Sequence, residues 1–257
     1  MQQLIHVKGY RLEVQRIAAP AGGQALSPII FLHEGLGSVA MWRDWPAQVC
    51  EATGRPGVVY SRRGYGQSDA APDVRGAGRL KPDYMHREAL EVLPDLLEAL
   101  DIEKPVLLGH SDGGTISLIH AAHLPVQACI VMAPHVIVED ISIRSIEQAR
   151  EAFEKGDLRE RLRRYHADVD GAFWQWNDIW LSPQFRQFDI RAECRRIAAP
   201  LLALQGEQDP YGTAAQIEEI SPSGPAQKKL LANCGHSPHR DQAEQTIDAV
   251  AQFLQRL

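Results

Sequence analysis

Val106-Leu107-Leu108-Gly109-His110-Ser111-Asp112-Gly113-Gly114 sets one serine between two glycines directly after an apolar run. The pattern reads as a nucleophile elbow. A serine hydroxyl is a weak nucleophile in an ordinary helix, so Gly-x-Ser-x-Gly chemistry uses a tight strand-to-helix turn whose small flanking residues leave room for strained backbone. Gly109 and Gly113 supply that room. Alone, such a pattern occurs often by chance and marks a turn; a buried strand before it and a small-residue helix after it favour the nucleophile.

Outward from the elbow, residues 106–108 form the expected strand and residues 115–122 the buried helix. Upstream, residues 29–32 and 58–61 are continuous apolar runs of the kind shown by strands buried on both faces. The first ends in a glycine-rich loop, His33-Glu34-Gly35-Leu36-Gly37-Ser38, and the second in Arg62-Arg63-Gly64-Tyr65-Gly66-Gln67-Ser68. A helix around residues 42–52 joins them, which makes a parallel crossover unit. At the start of the chain, β-prone runs at 4–7 and 11–16 flank Lys8-Gly9-Tyr10 and predict an antiparallel hairpin, ended by residues 20–23. Residues 83–100 read as an amphipathic helix through Leu90, Leu93, Leu97 and Leu100, with Pro94 predicting a kink or break.

Downstream, residues 129–132 predict another buried strand. From 136 to about 190 the regular alternation gives way to charged and aromatic helical segments at 143–155, 158–166 and 171–181, which reads as a helical lid inserted in the domain. Strands resume at 200–205 and 226–231. A last helix, 241–256, carries Ile247, Val250, Leu254 and Leu257 on one face. The expected division is a core of residues 1–135 and 191–257 with a lid of 136–190.

At 257 residues the chain fits one large α/β domain. Its formal charge of -6, with basic residues scattered, gives no reason to invoke nucleic acid or an anionic membrane. A small, uncharged or weakly charged substrate suits it better. Cys50, Cys129, Cys194 and Cys234 lie far apart without a C-x-x-C pair, so neither a metal site nor a disulfide framework is suggested. A reducing, cytoplasmic setting is the simpler expectation. The N-terminal residues lack a basic region followed by a long apolar stretch, and no window approaches the roughly 20 apolar residues of a membrane span. Oligomeric state is not legible.

A nucleophilic serine needs a base to take its proton and a carboxylate to orient that base, in the order Ser, Asp, His for this topology. Asp209 follows the strand ending at Gln205, and His236 follows Gly235 after the last strand. Both sit in loops at carboxyl ends of strands, where open α/β sheets bind ligands. Glu207, Glu139 and Asp140 compete with Asp209, which is preferred on loop position. His239 competes with His236, which the preceding glycine favours.

With these motifs in hand, the chain resembles an α/β-hydrolase of the small, lid-bearing type related to enol-lactonases, haloperoxidase-like esterases and ring-cleavage-product hydrolases. The resemblance runs through His33 with Trp42 nine positions later, Arg63-Gly64-Tyr65-Gly66-Gln67-Ser68, the elbow, Asp209 and Gly235-His236. It implies a mostly parallel sheet flanked by helices with an inserted helical lid, no cofactor, and Ser111, Asp209 and His236 as nucleophile, orienting acid and base. The oxyanion hole would come from the backbone N–H groups of Asp112 and Gly35. The resemblance departs at Glu34, where such enzymes usually carry glycine. A carboxylate beside a developing oxyanion opposes catalysis, so Glu34 is expected to turn away and pair with Arg62 or Arg63.

Glu34, His33, Trp174, Trp176, Trp180 and His239 are the candidate pocket residues. His33 reads more as a structural hydrogen-bonder beneath its loop than as a second base. Trp176 and Trp180, four apart, are ordinary core spacing first and pocket roof second. The function implied is cleavage of a small carboxylic ester or lactone through an acyl-enzyme. A carbon-carbon hydrolase of a ring-cleavage product is the alternative, weakened by Asp112 and Ser237 where those enzymes often carry Asn and Trp. A non-catalytic small-molecule receptor on the same fold is another, since fold does not fix function.

Overall fold

The short continuous apolar runs form the middle of one eight-stranded sheet. The computed structural model describes residues 2–20 and 26–257, so the stretch 20–23 expected to end the hairpin lies, from residue 21 onward, outside the described residues. β1 (Gln2–Val7) and β2 (Tyr10–Ile17) make the N-terminal hairpin, followed by β3 (Ile29–Leu32), α1 (Trp45–Thr53) and β4 (Gly57–Tyr60). Next come α2 (Tyr84–Arg87), α3 (Leu93–Ala99), β5 (Val106–His110), α4 (Asp112–His123) and β6 (Ala128–Met132). Four helices then run in succession: α5 (Asp140–Lys155), α6 (Leu158–Arg163), α7 (Val169–Trp180) and α8 (Arg191–Cys194). The chain closes with β7 (Leu201–Gly206), α9 (Ala215–Glu218), β8 (Ala226–Leu231), α10 (Pro238–Asp241) and α11 (Ala243–Leu254).

The spatial order is β1-β2-β4-β3-β5-β6-β7-β8. β2 is antiparallel to both neighbours, and every pair from β4 through β8 is parallel. Strand side chains alternate between faces. On β3, Ile29 and Phe31 join the layer containing α1 and α11, while Ile30 and Leu32 join the layer containing α3 and α4. Burial on both faces is why these strands are uniformly apolar.

The helix expected over 83–100 forms in three parts, with a π-helical turn at Glu88–Val92 between α2 and α3. Pro94 stands in the first turn of α3, and the Ala89 carbonyl five residues before it accepts from His120 Nδ1. The wide turn before it absorbs the break that proline imposes. The helix expected from residue 42 instead begins at Trp45, after a 3-10 turn at Val39–Trp42. Leu257 does not share the apolar face of the last helix: α11 ends at Leu254 and the Leu257 residue is 49% exposed.

The helices between β6 and β7 leave and rejoin the sheet at one neck, where Ile190 N–H donates to the Val136 carbonyl and Ile137 bridges Asp189. Their own core includes Phe153 stacked on Phe173 at 3.7 Å. Several ties fasten them to the loops beneath. His166 accepts from Gly66 N–H at Nδ1 and so donates from Nε2 to the Leu36 carbonyl, both at 3.0 Å. The Ser142 and Ser145 hydroxyls donate to the carbonyls of Tyr211 and Pro210. Arg75 pairs with Asp178 at 2.9 Å and lies 4.0 Å over the Trp174 ring. Among the described residues no helix is long and apolar enough to cross a membrane.

Candidate active site

β5 turns into α4 at Ser111, whose φ of 52° and ψ of -118° are outside the ordinary regions for a residue with a side chain. Such a conformation costs on the order of 1–3 kcal/mol and persists only where surrounding structure imposes it. Here the neighbours do so by close approach. A Cβ on Gly109 would lie 2.1 Å from the Gly113 carbonyl oxygen, and one on Gly113 would lie 2.1 Å from that of Leu32. Ser111 N–H donates to the Met132 carbonyl on the next strand at 2.9 Å.

Asp209 and His236 come together from the loops after β7 and β8. The Asp209 Oδ2 accepts from His236 Nδ1 at 2.8 Å and from Gln205 Nε2 at 2.7 Å, while its Oδ1 accepts from the Tyr211 N–H at 2.7 Å. Burial would raise the Asp209 carboxyl, but the His236 hydrogen bond and charge and the Tyr211 amide outweigh it and hold the group below its usual range. A carboxylate only accepts, so His236 keeps its proton on Nδ1. The competing acids are engaged elsewhere: Glu139 binds Thr213 and Gln216, Asp140 pairs with Arg186, and Glu207 is exposed.

Ser111 and His236 share a cavity of about 110 Å³. Leu36, Ile146, Trp176 and Trp180 form its apolar wall, and Glu34, Gly35, Asp112, His135 and Tyr211 complete the lining. Trp176 sits so close to the Gly35 backbone that a Cβ there would lie 2.1 Å from its Nε1. Among the described residues, neither the Gly35 nor the Asp112 N–H donates to a backbone or side-chain acceptor.

Three pocket candidates lie outside that lining. Trp174 turns away to pack edge-on against Phe153 and beneath Arg75. His33 is buried under its loop, accepting from Arg62 N–H at Nε2 and donating to the Glu34 carbonyl from Nδ1. His239 is buried behind the elbow against Trp42 and His110, where burial first and then His110 push its pKa down.

Glu34 does not pair with Arg62 or Arg63. Its Oε2 lies 3.4 Å from His110 Nδ1 and its Oε1 3.8 Å from Arg240. Arg62 instead donates to the carbonyls of His33 and Glu34 and stands 3.8 Å from the Asp112 carboxylate. Arg63 lies over the Tyr10 ring at 4.5 Å. The physical reason is reach: Arg62 is buried beneath the loop backbone, whereas the Glu34 side chain leaves that loop toward the elbow.

The Asp112 carboxyl is also buried, and both its oxygens are occupied. Tyr84 Oη donates to Oδ2 at 2.7 Å and Trp180 Nε1 to Oδ1 at 3.3 Å. Burial raises its pKa against the opposing pull of Arg62, Tyr84 and Trp180. His110, His135, Tyr84, Gln205 and Tyr211 escaped the sequence reading. His110 fills a variable position of the elbow motif, which does not specify its side chain, and the others belong to no motif, although His135 and Tyr211 do stand in loops at carboxyl ends of strands, as Asp209 and His236 do.

Residues 29–249 match the model of the alpha/beta hydrolase family. The chain is 25% identical over 263 residues to the sn-1-specific diacylglycerol lipase ABHD11 of Mus musculus, covering 91% of this chain and 82% of that protein. It is 25% identical over 266 residues to the 2-succinyl-6-hydroxy-2,4-cyclohexadiene-1-carboxylate synthase of Enterobacter sp. (strain 638), covering 91% and 94% respectively. In three dimensions it is similar to the enol-lactonase from Burkholderia xenovorans LB400, with a TM-score of 0.75, 20% identity, and coverage of 98% of this chain and 100% of that one. A family match through the elbow, the loop after β3 and the loops carrying Asp209 and His236 makes this chain a member of the alpha/beta hydrolase family.

Proposed function

We propose that this chain is a serine hydrolase that cleaves a small carboxylic ester or lactone through an acyl-enzyme. The observation that carries this reading is the strained Ser111 at the head of α4, in one cavity with a His236 whose Nδ1–H is held by Asp209 at 2.8 Å. The names of the mouse lipase and the bacterial enol-lactonase support hydrolysis as the reaction class.

In this reading His236 takes the Ser111 proton on Nε2 as Oγ attacks the carbonyl carbon. The oxygen of the tetrahedral intermediate, now negative, rests between the N–H groups of Gly35 and Asp112. His236 returns the proton to the departing alcohol oxygen. Water, activated by the same imidazole, then releases the acid and restores Ser111. Residues 136–190 act as the lid, with Trp176 and Trp180 as the cavity roof over the core of 1–135 and 191–257.

Short p-nitrophenyl esters assayed with wild type and Ser111→Ala test the proposal. The substitution is expected to remove about four orders of magnitude or more of turnover, and an alkyl fluorophosphonate should transfer its phosphonyl group to Ser111 Oγ with loss of fluoride, adding that group's mass to the peptide carrying Ser111. Hydrolysis undiminished in Ser111→Ala would overturn the nucleophile assignment. Tight ligand binding without hydrolysis in either protein would favour a receptor.

A further inference from the structure

The hydrogen-bonding capacity left open around the cavity belongs to uncharged groups. The two carboxylates that line it are already engaged, Asp112 by Tyr84 and Trp180 and Glu34 by His110 and Arg240. His135 and Tyr211 are different. Neither ring nitrogen of His135 makes a hydrogen bond among the described residues, and its Nδ1 is wholly buried without a partner. The residue is 3% exposed, lines the cavity, and lies with its ring 4.9 Å from Trp180 and 5.7 Å from His236. The Tyr211 ring flanks the other imidazole at 4.7 Å, and its hydroxyl also makes no hydrogen bond among the described residues.

His135 is held rigidly in this place. Its N–H donates to Thr115 Oγ1 and the same hydroxyl donates to its carbonyl, both at 2.9 Å. Thr115 Oγ1 also lies 3.4 Å from the Ser111 carbonyl, so His135 and the elbow share one anchor. Burial, and secondarily the charge of His236, push its pKa down to about 3, which leaves a neutral imidazole at any ordinary pH. A neutral imidazole offers one donor and one acceptor, the complement of an alcohol. Nδ1 is closed off, so the nitrogen that a group in the cavity can reach is Nε2, with the Tyr211 hydroxyl as the second open partner.

We infer that His135 and Tyr211 form a substrate subsite for a neutral hydroxyl group, making small hydroxylated esters or lactones the preferred substrates. Its position at the reacting bond rests on the reading of Ser111 as nucleophile. The cavity of about 110 Å³ also holds the scissile carbonyl, so the hydroxyl belongs within a few bonds of it. His135 is thus a specificity-determining residue.

Two matched substrate pairs test this: methyl 3-hydroxybutyrate against methyl butyrate, and 2-hydroxyethyl butyrate against propyl butyrate. Wild type is expected to favour the hydroxylated member of at least one pair by about tenfold or more in kcat/KM, since a site built to bind a hydroxyl rejects the analogue lacking it. His135→Phe should bring that ratio close to one. Tyr211→Phe, which deletes a single oxygen, should lower it several-fold and serves if the histidine variant fails to fold. Ratios near one in wild type for both pairs, or a ratio unchanged in the variants, would overturn the subsite. The change in tryptophan fluorescence, to which Trp176 and Trp180 in the cavity wall contribute, on adding the same esters to Ser111→Ala reads binding without hydrolysis. Selective binding of the hydroxylated ester there, lost in Ser111→Ala/Tyr211→Phe, upholds the subsite even if no ester is cleaved; equal binding of both esters overturns it.

Discussion

His110 donates from Nε2 to the carbonyl oxygen of His236 at 2.6 Å, so the residue before Ser111 is fastened to the loop that carries His236. Its other nitrogen faces a Glu34 carboxylate oxygen at 3.4 Å. A carbonyl and a carboxylate are both acceptors, so the ring stands between two acceptors. Three loops, after β3, β5 and β8, meet at one ring.

Glu34→Gln should therefore change stability in a pH-dependent way. Burial would raise the Glu34 carboxyl, but the His110 hydrogen bond and charge, with His239 and Arg240, hold it well below the usual range. A carboxylate depressed on folding contributes stability above its unfolded pKa of about 4.3 and loses it as pH falls through the folded value. The variant is expected to be less stable than wild type by about 1–3 kcal/mol at pH 7. That gap should narrow steadily below about pH 4. Thermal melting from pH 3 to 8 checks both; a gap that does not narrow contradicts the pairing.

Asp209→Asn should leave the fold intact and lower kcat by about three to four orders of magnitude. The amide can donate to Nδ1 as well as accept, which permits the tautomer that leaves Nε2 unable to take a proton. Esterase kinetics beside a circular dichroism melt would check it, and a loss of less than tenfold would count against Asp209.

Arg62→Met should destabilise by about 3–5 kcal/mol, because it strands the buried Asp112 carboxylate and two loop carbonyls. Tyr84→Phe removes one 2.7 Å bond to the same carboxyl and should cost less, about 1–3 kcal/mol. Urea unfolding of both variants gives the order, and the reverse order would sink the assignment of Arg62 as the main counter-charge.

Gly35→Ala places a Cβ against Trp176 Nε1 and must push the indole into the cavity or shift the loop. We expect kcat/KM for a p-nitrophenyl ester to fall at least tenfold, on the order of a lost oxyanion donor or more. A shifted tryptophan emission maximum should accompany it. Unchanged kinetics would mean that neither the loop nor the indole needs its present position.

The framework was legible because it follows from local rules. The four-residue run Ile29–Leu32 and the elbow between Gly109 and Gly113 each carry their reason within a few residues. Within the cavity, placement was legible only where a residue stands in a loop at a strand's carboxyl end, as for Asp209 and His236, which the structure brings to 2.8 Å. Glu34 was misassigned because its partner His110 is 76 positions away in sequence. Trp174 was placed with Trp176, yet two helical positions are about 200° apart, so the two indoles point to different sides of α7. The π-helical turn at Glu88–Val92 has no comparable sequence signature; Pro94 announced only that something must give.

The ties made by Ser142, Ser145 and His166 give the helices over the cavity a second duty. Ser142 and Ser145 grip the stretch beside Asp209, and His166 grips Leu36, next to Gly35. The helices between β6 and β7 thus yoke the loop carrying Asp209 to the loop after β3, which the sheet alone holds only at their roots. Grafting another member's helices onto this sheet would loosen both loops at once, because the helices that line the cavity also keep those two loops in register.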